Sequence, residues 1–196
     1  MSISTFSELK TAISTWMQRD DLTSVVADFI TLAEVDIMYR LRLVEFETSG
    51  TVTMTAGSGT VPTGLLSVRA ISMSGEPQLR YLPPSSFADY LDANDSGDGV
   101  YYTITGTTIK TAPPTTGDLS ITYVSKVTAL SDGNPTNTIL TNYPTVYLYG
   151  SLVQADLYVR KDPSSNMRLY EEAVNRVLEA NHFRKYAGDS LTVRCA

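Results

Sequence analysis

Asp92, Asn94, Ser96, Gly97 and Asp98 have the residue types and spacing of the front half of an EF-hand calcium loop. Oxygen-bearing side chains fall at ligand positions and glycine at the sharp turn. The twelfth position, where a bidentate glutamate closes such a site, holds Thr103. The flanks read as β structure rather than as a pair of helices. A solvated turn accounts for the same residues without a metal, and it is the reading carried forward.

The remaining chemistry is sparse. His182 is the sole histidine and sits before Phe183-Arg184-Lys185, near an expected helix end. A base there is conceivable, but a cationic side chain at a helix C-terminus is favoured by the dipole alone. Cys195 is the sole cysteine, so neither an intramolecular disulfide nor a His/Cys zinc site can be built within one chain. Glu171 and Glu172 are adjacent acids on a charged helix face, where solvation is the default. The nucleophile elbow, the phosphate-cradling lysine loop and the dinucleotide fingerprint are all missing, and Gly57-Ser58-Gly59 has neither a lysine nor a following helix. No catalytic residue, cofactor or metal is expected. Tyrosines are the less ordinary feature: Tyr143, Tyr147, Tyr149, Tyr158, Tyr170 and Tyr186 crowd the last third of the chain. A phenol offers apolar area with a polar tip, which suits an interface and a half-buried core position equally.

The elements that position these residues fall into two textures. Ser4 is expected to cap a first helix carrying Phe6, Leu9, Ile13, Trp16 and Met17 at helical spacing. After Arg19-Asp20-Asp21, with Asp21 as cap, Val25, Val26, Phe29, Ile30, Ala33, Ile37 and Leu41 form a wide apolar face. From Ser49 the period changes to two. Thr51–Thr55, Leu66–Ile71, Tyr101–Thr105, Thr107–Thr111 and Leu119–Val127 read as strands, with a hairpin turn at Gly57-Ser58-Gly59 and a short helix at Ser85–Leu91. Leu130–Tyr143 reads as a loop. Pro144 and the Asp162-Pro163 pair then open two further helices, marked by Leu152 and Val153 and by Val174 and Val177. Gly188 stops the last one.

Neither terminal helix pair can bury its apolar stripe alone, so the two ends of the chain must meet. The fold class expected is α+β: a four-helix bundle formed by the N- and C-terminal parts of the chain, with an inserted antiparallel β-sandwich or barrel-like module. Residues 1–47 and 131–187 supply the bundle, 48–130 the insert, and 188–196 a C-terminal arm. Phe29, Ile30, Ile37, Leu152, Val153, Val174 and Val177 belong to one core.

A hydrophobic content of 42% supports a folded core, and a net charge of −6 opposes a nucleic-acid partner, which needs a surplus of Lys and Arg. An acidic surface does suit the lining of a passage for DNA, where repulsion prevents sticking, although an acidic enzyme has the same balance. No stretch nears the roughly twenty apolar residues that span a bilayer, and MSISTFSELK lacks the segments of a secretory signal. Assembly in a reducing cytoplasm is the expectation.

Phe6-Ser7-Glu8-Leu9-Lys10, Trp16 with Arg19-Asp20-Asp21-Leu22, Asp28–Glu34 and Tyr39–Arg42 together resemble the head-to-tail adaptor (connector) proteins of tailed bacteriophages. The resemblance continues through Tyr102–Gly106, Pro113, Leu119–Tyr123 and Pro144–Gly150 to Tyr170 and Tyr186–Ser190, so it covers nearly the whole chain in order. Members often carry proline before the Asp-Phe-Ile run, where this chain has Ala27, and the second helix is expected to begin earlier here. The resemblance implies a structural virion protein at the head–tail interface: a homo-oligomeric ring, usually of about twelve subunits, beneath the portal. It further implies docking to the portal protein and to the next tail or connector protein, with genomic DNA passing without specific binding and no membrane contact. In that setting Leu191, Val193 and Arg194 are the candidate portal-binding residues of the C-terminal arm. Two rival readings stand beside it: a non-catalytic binding module with a β recognition domain, and a tail-associated cell-wall hydrolase.

Overall fold

The computed structural model describes residues 3–19, 21–73, 76–94 and 96–186. The chain is α+β and divides into two compact units, Met1–Glu45 with Val127–Ala196, and Phe46–Lys126.

In the first unit, α1 (Phe6–Met17) is opened by Thr5 rather than by Ser4. The Thr5 hydroxyl accepts from Glu8 N at 3.2 Å, and the Glu8 carboxylate accepts from Ser4 N and Thr5 N at 2.7 and 3.2 Å. That reciprocal box satisfies amides that the first helical turn leaves orphaned, and it needs the glutamate three residues after the cap. Phe6, Leu9, Ala12 and Ile13 are buried, whereas Trp16, read as part of the same stripe, is 53% exposed. Asp21 does not cap the next helix. It is held by Arg19 at 2.5 and 2.9 Å, and a turn closed by Val25 N to Leu22 O precedes α2 (Val26–Arg40). This helix starts two residues ahead of the Asp28-Phe29-Ile30 run.

Leu130–Tyr143 is not all loop, because Asn137 caps a short helix α4 (Thr138–Asn142), its side-chain oxygen accepting from Leu140 N at 2.9 Å. Helix α5 (Pro144–Tyr158) opens on a first-turn proline and is buried on nearly every side. Such a helix must be central, and α1, α2, α4 and the last helix, α6 (Ser164–Tyr186), all pack on it. Asp162 accepts from Ser164 N at 3.0 Å at the start of α6. Phe29, Ile30, Ile37, Leu152, Val153, Val174 and Val177 are all buried in this unit, so helices from both ends of the chain share a core. The packing is tight at Gly150, where an added Cβ would lie 3.1 Å from the Tyr170 ring and 3.3 Å from Ala33 Cβ.

The second unit has two open sheets, and neither closes into a barrel. Strands β1 (Glu47–Met54), β7 (Gly117–Ser125) and β3 (Leu65–Met73) form an antiparallel sheet in the order β1-β7-β3. Strands β2 (Ser58–Thr60), β6 (Thr108–Ala112), β5 (Tyr101–Thr105) and β4 (Arg80–Tyr81) form the other, in the order β2-β6-β5-β4. The all-antiparallel expectation fails at one edge, where β4 runs parallel to β5. A crossover containing α3 (Pro84–Ala93) links those two strands, as a parallel pair requires. Val52, Met54, Ile71, Leu119 and Ile121 from the first sheet and Ile109 from the second form one apolar cluster. The turn between β1 and β2 is Ala56-Gly57, both at positive φ (48° and 76°), with Thr55 and Ser58 exchanging hydrogen bonds. Positive φ at both central residues matches the twist of a two-residue hairpin.

Candidate interaction surface

The side chains that could carry chemistry are mostly committed to tying helices together. Glu34 on α2 is 7% exposed. Its Oε1 accepts from Tyr147 Oη at 2.9 Å and from Leu130 N at 2.7 Å, while Asn137 Nδ2 donates to Tyr147 Oη at 2.8 Å. Burial, reinforced by Glu34, pushes the Tyr147 phenol well above its ordinary range, so it remains a neutral donor. Tyr170 donates to Asp36 at 2.7 Å and is likewise shifted upward, first by burial and then by that bond. Tyr143 donates to Glu45 at 3.0 Å, and Arg184 also forms an ion pair with Glu45. Three of the C-terminal tyrosines are thus packing residues with satisfied hydroxyls. Tyr149 stacks edge-on against Trp16 at 5.9 Å, and Tyr158 lies 5.3 Å from Phe29.

The calcium-loop residues do not form a helix–loop–helix. Asp92 lies in the last turn of α3, Asn94 caps that helix and donates to Tyr90 O at 3.0 Å, and the chain then enters β5. Thr103, at the closing position, is buried within that strand. Among the described residues no group of three or more His, Cys, Asp or Glu is placed to hold a metal ion. His182 is exposed at the end of α6, where its ring meets Phe183 edge-on at 6.3 Å and Arg184 and Lys185 follow. Glu172 pairs with Arg176 one turn on, at 2.5 Å. Leu191, Val193, Arg194 and Cys195 lie outside the described residues.

What the sequence reading missed is the back of α2. Leu32, Val35 and Tyr39 are 54%, 63% and 86% exposed. Their spacing of i, i+3 and i+7 puts them in one row, opposite the buried row of Phe29, Ile30, Ala33 and Ile37. This row leaves apolar area in water on the outside of a helix whose inner face is already packed. The signal was present in the sequence, but it was overshadowed by the stronger inward stripe and by the charges between the two.

A mixed α/β chain that commits its polar side chains to bracing and leaves an apolar helix face outward has the make-up of an assembly protein. The chain belongs to the SU10 adaptor protein family, whose model matches residues 4–194. No curated protein matches it significantly. This membership agrees with the resemblance to phage head-to-tail adaptors and supports a structural role. No helix among the described residues is long and apolar enough to cross a membrane.

Proposed function

We propose that this protein is a head-to-tail adaptor of a tailed bacteriophage, forming a ring beneath the portal that continues the DNA channel and docks the tail. The family match over residues 4–194 carries the reading. A ring requires a rigid body and a heterologous contact that closes by rotation. The α5-centred helical unit suits the first need, and the exposed row on α2 suits the second. The net charge of −6 suits a channel through which DNA slides without adhering. Residues 189–196 act as an arm, with Leu191 and Val193 alternating on one side and Arg194 available to an acid on the partner. An extended arm gains main-chain hydrogen bonds at a sheet edge or groove without needing a preformed fold.

The test is to mix purified protein with its portal and image the product in negative stain. A second ring stacked on the portal is expected, and a monomer that ignores portal rings would overturn the proposal. Deleting residues 189–196 is expected to leave the melting temperature unchanged and to abolish portal binding. Normal binding by the truncated protein would remove the arm from the account.

A further inference from the structure

Leu152, Asp156 and Val159 fall at i, i+4 and i+7, which puts them in one row along the end of α5. The two apolar side chains are what an inward-facing row calls for, and the carboxyl group between them is not. Asp156 is 7% exposed. Its Oδ2 accepts from Asn166 Nδ2 at 2.6 Å, a neutral donor on α6. Among the described residues it has no ion pair, and Lys161 meets it through the backbone, its amide donating to Asp156 O at 2.9 Å. The last turn of α5, where Asp156 lies, holds no basic residue, so the negative end of the helix adds to the carboxylate's charge. A carboxylate withdrawn from water with one neutral donor is costly to bury unless a cation reaches it.

The walls around Asp156 define the shape of that cation. Asp156 and Asn166 border a cavity of about 430 Å³ between the end of α1, α5 and the start of α6. A hard metal ion takes six or more oxygens, whereas these walls offer one carboxylate and one side-chain amide. Leu152, Val159 and Met17 also line the cavity, and they suit the methylene stem of a long side chain. Asn166 commits Nδ2 to Asp156, which leaves its Oδ1 as a second acceptor. Trp16 borders the same cavity, 53% exposed and edge-on to Tyr149, and an indole is the best aromatic partner for a cation. Of the two basic residues in the lining, Arg19 is held by Asp21 at 2.5 and 2.9 Å. Lys161 is exposed, placed to meet an acid beside an entering residue rather than the residue itself.

We propose that this pocket receives one arginine or lysine side chain of a protein with which the chain assembles, its cationic head on Asp156 and Asn166 and its flank on Trp16. The pocket's chemistry stands apart from the adaptor reading, and only the partner's place in a virion rests on it. Trp16 is the sole tryptophan, so its fluorescence reports on the pocket directly. The full chain is titrated at constant ionic strength with N-acetyl-arginine amide, and with N-acetyl-citrulline amide as the neutral isostere. The first is expected to give a saturable change in emission and a rise in melting temperature, and the second neither. Asp156→Asn keeps the shape and removes the charge, and should weaken binding by more than about tenfold without lowering the melting temperature. Lys161→Met should bind at least as tightly as the parent. No saturable response, an equal response to the citrulline derivative, or undiminished binding by Asp156→Asn would each overturn the proposal. So would a matched fall in melting temperature for Asp156→Asn and Lys161→Met, because Lys161 would then be the cation that neutralises Asp156. Tighter binding of putrescine than of the arginine derivative would assign the pocket to a free polyamine and overturn the side-chain reading. Charge-dependent binding by a chain that ignores portal rings would overturn the adaptor reading and support the pocket.

Discussion

Glu34 ties three separated stretches of chain, bonding Tyr147 on α5 and the backbone of Leu130 while sitting on α2 itself. Removing the Tyr147 hydroxyl takes one donor from a buried carboxylate, and Tyr147→Phe is expected to cost about 1–3 kcal/mol in a denaturant melt. Burial favours the neutral phenols of Tyr147 and Tyr170, so their folded-state pKa values lie above the unfolded value. Their contribution is complete below about pH 10, the unfolded pKa, and is lost as pH rises towards the folded values. The melting temperature should therefore fall above about pH 10, and fall less steeply in a Tyr147→Phe, Tyr170→Phe double variant. Parallel curves would contradict the assignment. Phe29, 3% exposed and stacked on Tyr158, gives the plainest packing test. Phe29→Ala should cost about 3–5 kcal/mol by urea unfolding. That core position was legible from the period of its neighbours. The burial of Glu34 was not, because its partners Leu130 and Tyr147 lie about a hundred residues away in sequence and only the fold brings them near.

At the scale of elements, Gly150 on α5 faces Ala33 on α2 and the Tyr170 ring on α6 with little room for a side chain. Gly150→Val would place two methyls against Tyr170 and Ala33, and an overpacking cost of about 1–3 kcal/mol is expected. A neutral result would mean that the helices have slack there. In the hairpin, Gly57 combines positive φ with a Cβ position 2.8 Å from Pro114 Cα, so Gly57→Ala should lower the melting temperature through both strain and clash. Long periodic segments such as α2, α5 and α6 could be read from sequence because each repeats its apolar spacing over several turns. Three local features could not. The cap falls on Thr5 rather than Ser4 because Glu8 is three residues from the former, a distinction of one residue between similar hydroxyls. Helix α4 is too short for a period and depends on Asn137. Strand β4 is two residues long, so its parallel pairing with β5 leaves no alternation to detect.

For the molecule as a whole, Leu32, Val35 and Tyr39 form an exposed apolar row on the outside of α2. A chain designed to work alone has little reason to keep three apolar side chains in line on the outside of a helix whose inner face is already full. The proposed adaptor role is consistent with the thin chemistry of the sequence, since a channel segment would need shape, rigidity and repulsion rather than a reacting group. The central claim is that this chain sits as a closed ring between portal and tail. A cryo-electron microscopy reconstruction of the intact phage particle tests it most directly. The expected map shows one ring directly beneath the portal, whose subunits fit the unit formed by α1, α2, α4, α5 and α6. A head–tail junction fully accounted for by other chains, with this protein absent from it, would contradict the account.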